Sequence, residues 1–255
     1  MFQWLISTDE AGVCATRSGI IRSVNLIAFE AATRRVSVAV WCAGALKEKS
    51  AHLPHGGSEV LLPWALELLG EAGLTMKQLD AIAFGAGPGS FTGLRLACGV
   101  AQGLACGLDR PVVPVGSLAA LALESGDGKV LACLDARMNE IYFAGYQVKG
   151  ESVTEVIAPK VGAAETAPLP AGEGWRGVGD GFASAAGVHF RERLGARIIS
   201  VDAERFPSAA AVARLAALNL AHGGGVPARD AQPVYLRDKV ALTTAERLLQ
   251  GRQCS

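Results

Sequence analysis

The stretch FGAGPGSFTGLRLACGVAQGLA, residues 84–105, joins an apolar strand to a long apolar helix through a glycine-rich turn. Such a turn at the start of a helix is typical of phosphate-binding loops. A Walker A loop also requires a lysine, and no lysine stands between Gly85 and Ala105. The dinucleotide pattern Gly-x-Gly-x-x-Gly fails as well, since its last position is Ser90 or Thr92. An anion site made of backbone N–H groups alone stays open as an alternative.

The helix that follows carries two stripes of small residues, each with a spacing of four. One stripe consists of Gly99, Gly103 and Gly107, and the other of Gly93, Ala97, Ala101 and Ala105. Each glycine inside a helix costs about 0.5–1 kcal/mol relative to alanine, so a glycine stripe requires a packing reason. Packing on the lobe's own sheet explains one stripe, and we expect a helix of a partner chain to cover the other.

The order of the predicted elements indicates two α/β lobes built in the same way. Two β-branched runs, 24–30 and 35–41, predict a hairpin that opens the first lobe. After a polar loop at 125–129, the runs 130–135 and 140–146 predict a second hairpin. A repeated strand–strand–strand–helix order indicates duplication. We therefore divide the chain into an extension and two lobes: residues 1–23, 24–125 and 126–255.

The remaining elements follow from apolar patterning and from Gly, Pro and Ser punctuation. Helices are predicted over 58–69, from the glycine turn to about residue 106, and over 116–124, 208–220 and 244–250. Further strands are predicted over 45–53, 79–84, 111–115, 153–157 and 176–178.

Composition and charge argue against several classes of protein. The 255 residues include 24 basic and 24 acidic side chains, and the formal net charge is zero. This balance disfavours a protein that binds nucleic acid on its own, although a local basic patch stays open. The six cysteines are scattered, without a Cys-x-x-Cys pair, which favours reduced thiols in a cytoplasmic protein. There is no run of about 20 apolar residues, so we predict no membrane span.

Residues 1–23 lack the basic and apolar regions of a signal peptide. The first predicted strand begins at Val24, and valine is the residue that a GTG start codon spells. Our hypothesis is that the natural protein begins at Val24 and that residues 1–23 come from a start codon assigned too far upstream in the gene. A genuine extension, disordered or weakly docked, is the alternative.

Three groups of polar residues have both a chemical and a structural interpretation. His52 and His55 have a metal-ligand spacing but no matching carboxylate, which favours surface histidines. Ser90 and Thr92 would need a nearby base to act as nucleophiles, so capping of the helix by Ser90 is the better interpretation. Asp135 could serve as a ligand or a base, but a turn carboxylate that accepts backbone hydrogen bonds is favoured.

Five blocks of the sequence resemble the signature blocks of the TsaB (YeaZ) family. They are LIAFEAAT (26–33), SEVLLP (58–63), FGAGPGSFTGLRLACGVAQGLA (84–105), LDARMNEIYFA (134–144) and PVYLRDKVA (233–241). The resemblance implies an α/β, duplicated RNase H-like fold with two lobes, as in the sugar-kinase/Hsp70/actin superfamily. It also implies the dimerisation subunit of the bacterial machinery that forms threonylcarbamoyladenosine in tRNA. The resemblance implies that such a subunit catalyses no reaction and binds no metal or cofactor of its own.

The resemblance further identifies the remains of a nucleotide-binding scaffold. In the family's catalytic paralogue, TsaD, histidines on a first-lobe helix bind a metal, and the corresponding helix at 58–69 contains no histidine. The superfamily's first phosphate loop presents an acidic residue with Thr or Ser partners, and this chain has two alanines between those positions. We therefore predict a vestigial nucleotide loop that consists of Glu30, Thr33, Gly85, Gly87 and Gly89.

The partners that the resemblance implies are proteins. The first-lobe helices are expected to pack against the equivalent helices of TsaD, or against a second copy of the chain when TsaD is absent. The ATPase TsaE is expected to dock on this pair, and the tRNA is reached indirectly through the complex. The expected contact residues are Leu62, Leu66, Leu69, Leu94, Cys98, Gln102 and Cys106, with Gly99 and Gly103 allowing close approach.

Two other functions stay open at the level of sequence. One is a metallopeptidase-like or nucleotide-dependent enzyme of the same superfamily, which requires a metal or ATP site. The other is a stand-alone homodimeric scaffold with a different client.

Overall fold

A computed structural model of the protein describes residues 24–53 and 57–237. Within them the first lobe contains strands and helices in the order expected from the sequence. These are β1 (Asn25–Glu30), β2 (Arg35–Cys42), β3 (Ala45–His52), α1 (Gly57–Glu71), β4 (Ala81–Gly87), α2 (Phe91–Leu108), β5 (Val112–Gly116) and α3 (Ser117–Leu123).

The second lobe begins at residue 128 with a longer hairpin. Its elements are β6 (Gly128–Arg137), β7 (Glu140–Lys149), β8 (Ser152–Ala163), β9 (Trp175–Val178), α4 (Ala185–Leu194), β10 (Ile198–Asp202) and α5 (Ala209–Ala221). Short 3-10 turns occur at Met76–Gln78, Asp180–Ala183, Gly195–Arg197 and Ala228–Asp230.

The two sheets have the same topology. The first has the strand order β3-β2-β1-β4-β5 and the second the order β8-β7-β6-β9-β10. In each, the first three strands pair antiparallel, the fourth strand pairs in parallel with the first, and the fifth pairs in parallel with the fourth. The prediction of an α/β, duplicated RNase H-like two-lobe fold is confirmed.

The core is arranged in layers, because side chains alternate between the two faces of each strand. On β1, Ile27 and Phe29 pack under α1 and α2, while Leu26 and Ala28 face a central layer. The central layer contains α3 and α5 and lies between the two sheets. The far side of the second sheet is covered by α4. The boundary near residue 125 thus separates the sheets, whereas α5, from the second part of the chain, packs on the first sheet.

The structure adds two elements that the sequence did not predict. Helix α4 is short, and its buried residues Ala186, Phe190 and Leu194 have the i, i+4 spacing of one helix face, a signal that could have predicted it. Strand β10 is a mostly exposed edge strand without a clear apolar alternation. Strand β8 is also longer than the predicted 153–157. The predictions made for residues 1–23, for His55 and for residues 244–250 lie outside the described residues.

Candidate functional site

The first turn of α2 is packed against the chain's own backbone. A Cβ at Gly89 would lie 2.4 Å from the carbonyl oxygen of Ala32, and one at Gly93 would lie 1.9 Å from that of Ala31. The Ser90 N–H donates to the Ala32 carbonyl over 2.7 Å. The Ser90 hydroxyl accepts the N–H of Gly93 over 3.4 Å, which confirms the predicted cap. Two backbone N–H groups at this helix N-terminus, those of Ser90 and Gly93, are thus already bonded within the chain.

Glu30, the acidic residue of the predicted vestigial loop, is fully buried. Its Oε1 accepts the N–H of Ala32 over 2.6 Å, and its Oε2 accepts the Ser117 hydroxyl over 2.8 Å. A Cβ at Gly85 would lie 2.0 Å from Oε2, so only glycine leaves room for the carboxyl. Burial raises the pKa of Glu30 from 4.5 to about 7, although the hydrogen bonds from Ala32 and Ser117 oppose this effect. The carboxyl is therefore an internal group that joins β1 to the start of α3.

The other two residues of this loop also have structural roles. The Thr33 hydroxyl accepts the N–H of Arg35 over 3.2 Å and closes the turn between β1 and β2. Gly87 has a φ of +107° where β4 turns towards α2, a conformation that residues with a side chain rarely adopt. All five residues of the predicted vestigial loop are thus engaged by neighbouring atoms of the chain or by the shape of the turn.

A cleft of about 1030 Å³ separates the two lobes. Its lining includes Thr33 and Arg34 from the first lobe and Asp135 and Asp180 from the second. Asp135 accepts the N–H of Arg137 over 2.8 Å, which confirms its interpretation as a turn carboxylate. Burial raises the pKa of Asp180, which accepts the N–H of Asp135 over 3.3 Å. Both carboxylates thus hold the backbone of the second lobe at the edge of the cleft.

The two stripes of small residues on α2 face different environments. One packs on the first sheet, and its buried members are Ala97, Ala101 and Ala105. The other faces open space, since a Cβ built at any member would meet no atom within 4 Å; its members are Gly99, Gly103 and Gly107. The chain's own sheet therefore accounts for the alanine stripe and leaves the glycine stripe uncovered.

The predicted contact side chains separate into an exposed and a buried group. Leu62 and Leu66 on α1 are 44% and 61% exposed, and Cys106 on α2 is also exposed. The prediction of three others as contact residues is wrong, because their side chains are at most 4% exposed: Leu69 and Cys98 lie in the core beneath α1 and α2, and Leu94 packs beside Gly87 at the cleft. These three side chains stabilise the helices from within and do not reach a partner's surface.

Gln102 is engaged by the C-terminal part of the same chain. Its Nε2 donates to the carbonyl oxygens of Ala228 and Ala231 over 3.1 and 3.0 Å. The Cys98 thiol lies 3.6 Å from the Ala231 oxygen on the same segment. Gln102 therefore fixes residues 228–231 along α2, and its contact with a partner stays a prediction. No sequence pattern indicates this contact, because its ends are more than 120 residues apart.

Two relatives whose similarity extends over most of the chain carry the same name. A relative from Escherichia coli (strain K12), named tRNA threonylcarbamoyladenosine biosynthesis protein TsaB, is 34% identical over 229 residues, covering 86% of this chain and 96% of its own length. A protein of the same name from Haemophilus influenzae is 33% identical over 236 residues with the same coverage. The solved structure of YeaZ from Pseudomonas aeruginosa matches with a TM-score of 0.76 and 38% identity, over 84% of this chain and 100% of that chain. The chain belongs to the TsaB (YeaZ) family.

Membership of the TsaB family supports a role in tRNA threonylcarbamoyladenosine biosynthesis. A family model described as TsaD, tRNA N6-adenosine threonylcarbamoyltransferase, also matches residues 50–180. This range contains α1 and α2, so the part of this TsaB-family chain that bears the uncovered glycine stripe is also the part similar to the transferase family.

One exposed cluster was not predicted from the sequence. The Arg95 Nε donates to the Tyr235 hydroxyl over 2.9 Å, and the Arg95 guanidinium carbon lies 3.8 Å from the centre of the Phe91 ring. Phe91 and Arg95 have the i, i+4 spacing of neighbours on a helix, which a sequence reading could have used. Tyr235 could not have been found in this way, because 140 residues separate it from Arg95.

The remaining predictions concern metals and membranes. The His52 ring packs edge-on against Phe206, with ring centres 5.1 Å apart. Among residues 24–53 and 57–237, no group of three or more His, Cys, Asp or Glu side chains is placed to hold a metal ion. Over the same residues, α2 is the single helix long and apolar enough to span a membrane by length and composition. Helices packed inside globular proteins meet the same two criteria.

Proposed function

We propose that the protein is a non-catalytic subunit required for N6-threonylcarbamoylation of the adenosine next to the anticodon in tRNAs. In this proposal it forms a heterodimer with the catalytic subunit TsaD through α1 and α2. The observation that carries the proposal is the uncovered glycine stripe of α2 in a member of the TsaB family.

The shape and chemistry of this surface suit a helical partner. Helices pack with their axes 8–10 Å apart, and glycines at the contact allow the closest approach. Leu62 and Leu66 on the neighbouring α1 are exposed. Full burial of an exposed leucine contributes about 1.5–3 kcal/mol. A partner that covers both leucines and the stripe would therefore remove from water the main exposed apolar side chains of α1 beside the stripe.

We also propose that this subunit catalyses no reaction itself, and two observations support this. Glu30 is turned inward onto Ser117, whereas a ligand-binding carboxylate would have to face the cleft. The helix α1, at the position where the resemblance to TsaD implies metal-binding histidines, has none in its sequence.

The proposal extends to the other members of the complex. The ATPase TsaE is recruited by the heterodimer, and the tRNA is reached through the complex and not by this chain alone. Without TsaD, the same face of α1 and α2 pairs with a second copy of the chain. The complex acts in the cytoplasm, where its tRNA substrates are.

The test is the substitution Gly103→Leu. The added side chain enters open space, so the monomer should fold, but it fills the groove that a partner helix needs. We expect association with TsaD to weaken at least about 100-fold, and tRNA modification reconstituted with TsaD and TsaE to be lost. The matched control is Gly162→Leu on β8, where a Cβ also meets no atom within 4 Å. Equal heterodimer formation by both variants on size-exclusion chromatography would overturn the proposed interface.

An enzymatic role is the second candidate, because the cleft is large and the match to a transferase family covers residues 50–180. It would be a metallopeptidase-like or nucleotide-dependent activity of the same superfamily. Metal analysis and ATP-binding titration of the isolated chain decide between the two. Stoichiometric, tight binding of a metal ion or of ATP would overturn the non-catalytic role.

A further inference from the structure

Arg95 is exposed but held in one orientation. Its Nε donates to the Tyr235 hydroxyl over 2.9 Å, and the plane of its guanidinium lies near two rings, with centres 3.8 Å away for Phe91 and 5.9 Å away for Tyr235. The two rings contact each other with centres 5.5 Å apart. Holding an arginine in one orientation costs side-chain entropy, and because these contacts already hold Arg95 in the free protein, binding of a ligand would not add that cost.

The outward edge of this guanidinium is available. In the part of the chain that the structure describes, the hydrogen bond from Nε is the one polar contact that Arg95 makes, and no acidic side chain pairs with its Nη groups. Phe91 and Tyr235 are 44% and 45% exposed, so the cluster lies at the surface. A planar pair of N–H donors with a fixed direction matches a carboxylate or a phosphate.

The position of the cluster relates it to the glycine stripe. Phe91, Arg95, Gly99, Gly103 and Gly107 follow one another at intervals of four along α2, so they form one row. A helix that lies along the three glycines would extend towards Arg95. The aromatic and arginine content of the cluster is also that of energetically dominant positions in protein interfaces.

We propose that Arg95, held by Phe91 and Tyr235, binds a carboxylate side chain of the partner subunit and so selects which protein docks along the glycine stripe. This inference rests on the proposed function and adds the chemical group that the partner must present.

A protein carboxylate fits the surroundings better than an RNA phosphate. Arg95 is the sole charged residue of α2, and the next three residues at intervals of four along the helix are glycines. RNA binding depends on several clustered cations, each of which neutralises a phosphate. A single bidentate arginine within an apolar contact surface is instead typical of protein interfaces.

The experiment compares Arg95→Glu with Arg95→Lys and Tyr235→Phe in a binding titration against intact TsaD. We expect Arg95→Glu to weaken the heterodimer by about 30-fold or more, because the substitution places a second carboxylate next to the partner's carboxylate, and the two repel each other. Arg95→Lys keeps the charge but loses the planar fork, so we expect a loss of about 5- to 10-fold. Tyr235→Phe removes the hydroxyl that orients Nε, and a loss of a few-fold is expected.

A charge-reversal screen identifies the carboxylate. Each exposed Asp or Glu on the first-lobe helices of TsaD is changed to Lys, and one change should restore affinity to Arg95→Glu while weakening the wild-type pair. The matched control is Arg191→Glu on α4, an equal charge change on an exposed arginine of the second lobe. We expect this control to bind TsaD as the wild type does, and melting curves should show all variants folded.

The outcomes separate this inference from the function on which it rests. If the wild-type chain fails to bind TsaD, the proposed function fails. If the wild type binds and Gly103→Leu does not, but Arg95→Glu binds like the wild type, the interface stands and the role of Arg95 is overturned. If Arg95→Glu leaves the heterodimer intact and weakens only tRNA binding by the assembled complex, the ligand is a phosphate and the inference is also overturned.

Discussion

The two glycine groups around α2 have the same spacing and opposite surroundings. Gly85, Gly89 and Gly93 stand four residues apart at the end of β4 and the start of α2, and a Cβ at any of them would lie within 2.4 Å of a buried or backbone oxygen. Gly99, Gly103 and Gly107 repeat that spacing further along the helix, and a Cβ there would meet nothing within 4 Å.

A glycine pattern alone therefore does not predict which atoms fill the space beside the glycines. At the first group the Glu30 side chain fills the space beside Gly85, and the loop after β1 fills it beside Gly89 and Gly93. At the second group the space is uncovered, and we propose that a partner fills it.

The largest effect is expected from Gly93→Ala. Alanine is the better helix former, yet its Cβ would lie 1.9 Å from the Ala31 carbonyl oxygen, so backbone must move. We expect the free energy of unfolding to fall by about 3 kcal/mol or more. Urea denaturation of the purified variant measures this change. A variant as stable as the wild type would mean that the loop after β1 can move away from Gly93 at little cost, and that its packing does not require glycine there.

The next effect concerns the buried carboxyl beside Gly85. The pKa of Glu30 in the folded protein is about 7, above its ordinary value of 4.5, so ionisation disfavours the folded state. Below pH 4.5 the carboxyl is neutral in both states and costs nothing. The cost grows as the pH rises from 4.5 to 7 and then stays constant at about 3 kcal/mol, since one pH unit corresponds to about 1.4 kcal/mol.

Glu30→Gln tests this cost, because the amide stays neutral at every pH. Relative to this variant, the wild type should lose up to about 3 kcal/mol of unfolding free energy between pH 4 and pH 8. Denaturant titrations at five pH values measure the difference. Glu173→Gln, on an exposed loop, is the control for the substitution itself. A difference that does not change with pH would show that Glu30 is not the group that titrates.

The smallest effect is expected from Gly99→Ala in the free protein. Its Cβ enters open space on a helix, so the unfolding free energy should rise by about 0.5–1 kcal/mol. The measurement is urea denaturation at a protein concentration low enough to keep the chain monomeric. This variant is also the matched partner of Gly93→Ala, since the substitution is identical and lies on the same helix. A loss of stability would contradict the open environment of the second glycine group.

Much of the fold could be predicted from the sequence, because it depends on local signals. The β-branched runs predicted both hairpins, and the serine at position 90 predicted a helix cap that the structure contains. The repeated order of elements predicted the duplication. Helix α4 was missed although Ala186, Phe190 and Leu194 have a helical spacing, because that signal extends over only 10 residues. Strand β10 was missed because it is a mostly exposed edge strand, and its pairing depends on the second sheet.

The sequence by itself determined the family, the duplicated architecture and the presence of two small-residue stripes on one helix. Only the tertiary structure decided which stripe is covered, because burial of α2 depends on the sheet beneath it. It also decided that Glu30 points to Ser117, that Gln102 binds residues 228–231, and that Tyr235 orients Arg95. Each of these contacts joins residues more than 80 positions apart. A local pattern of residue types does not predict such contacts, because they depend on how distant parts of the chain pack together.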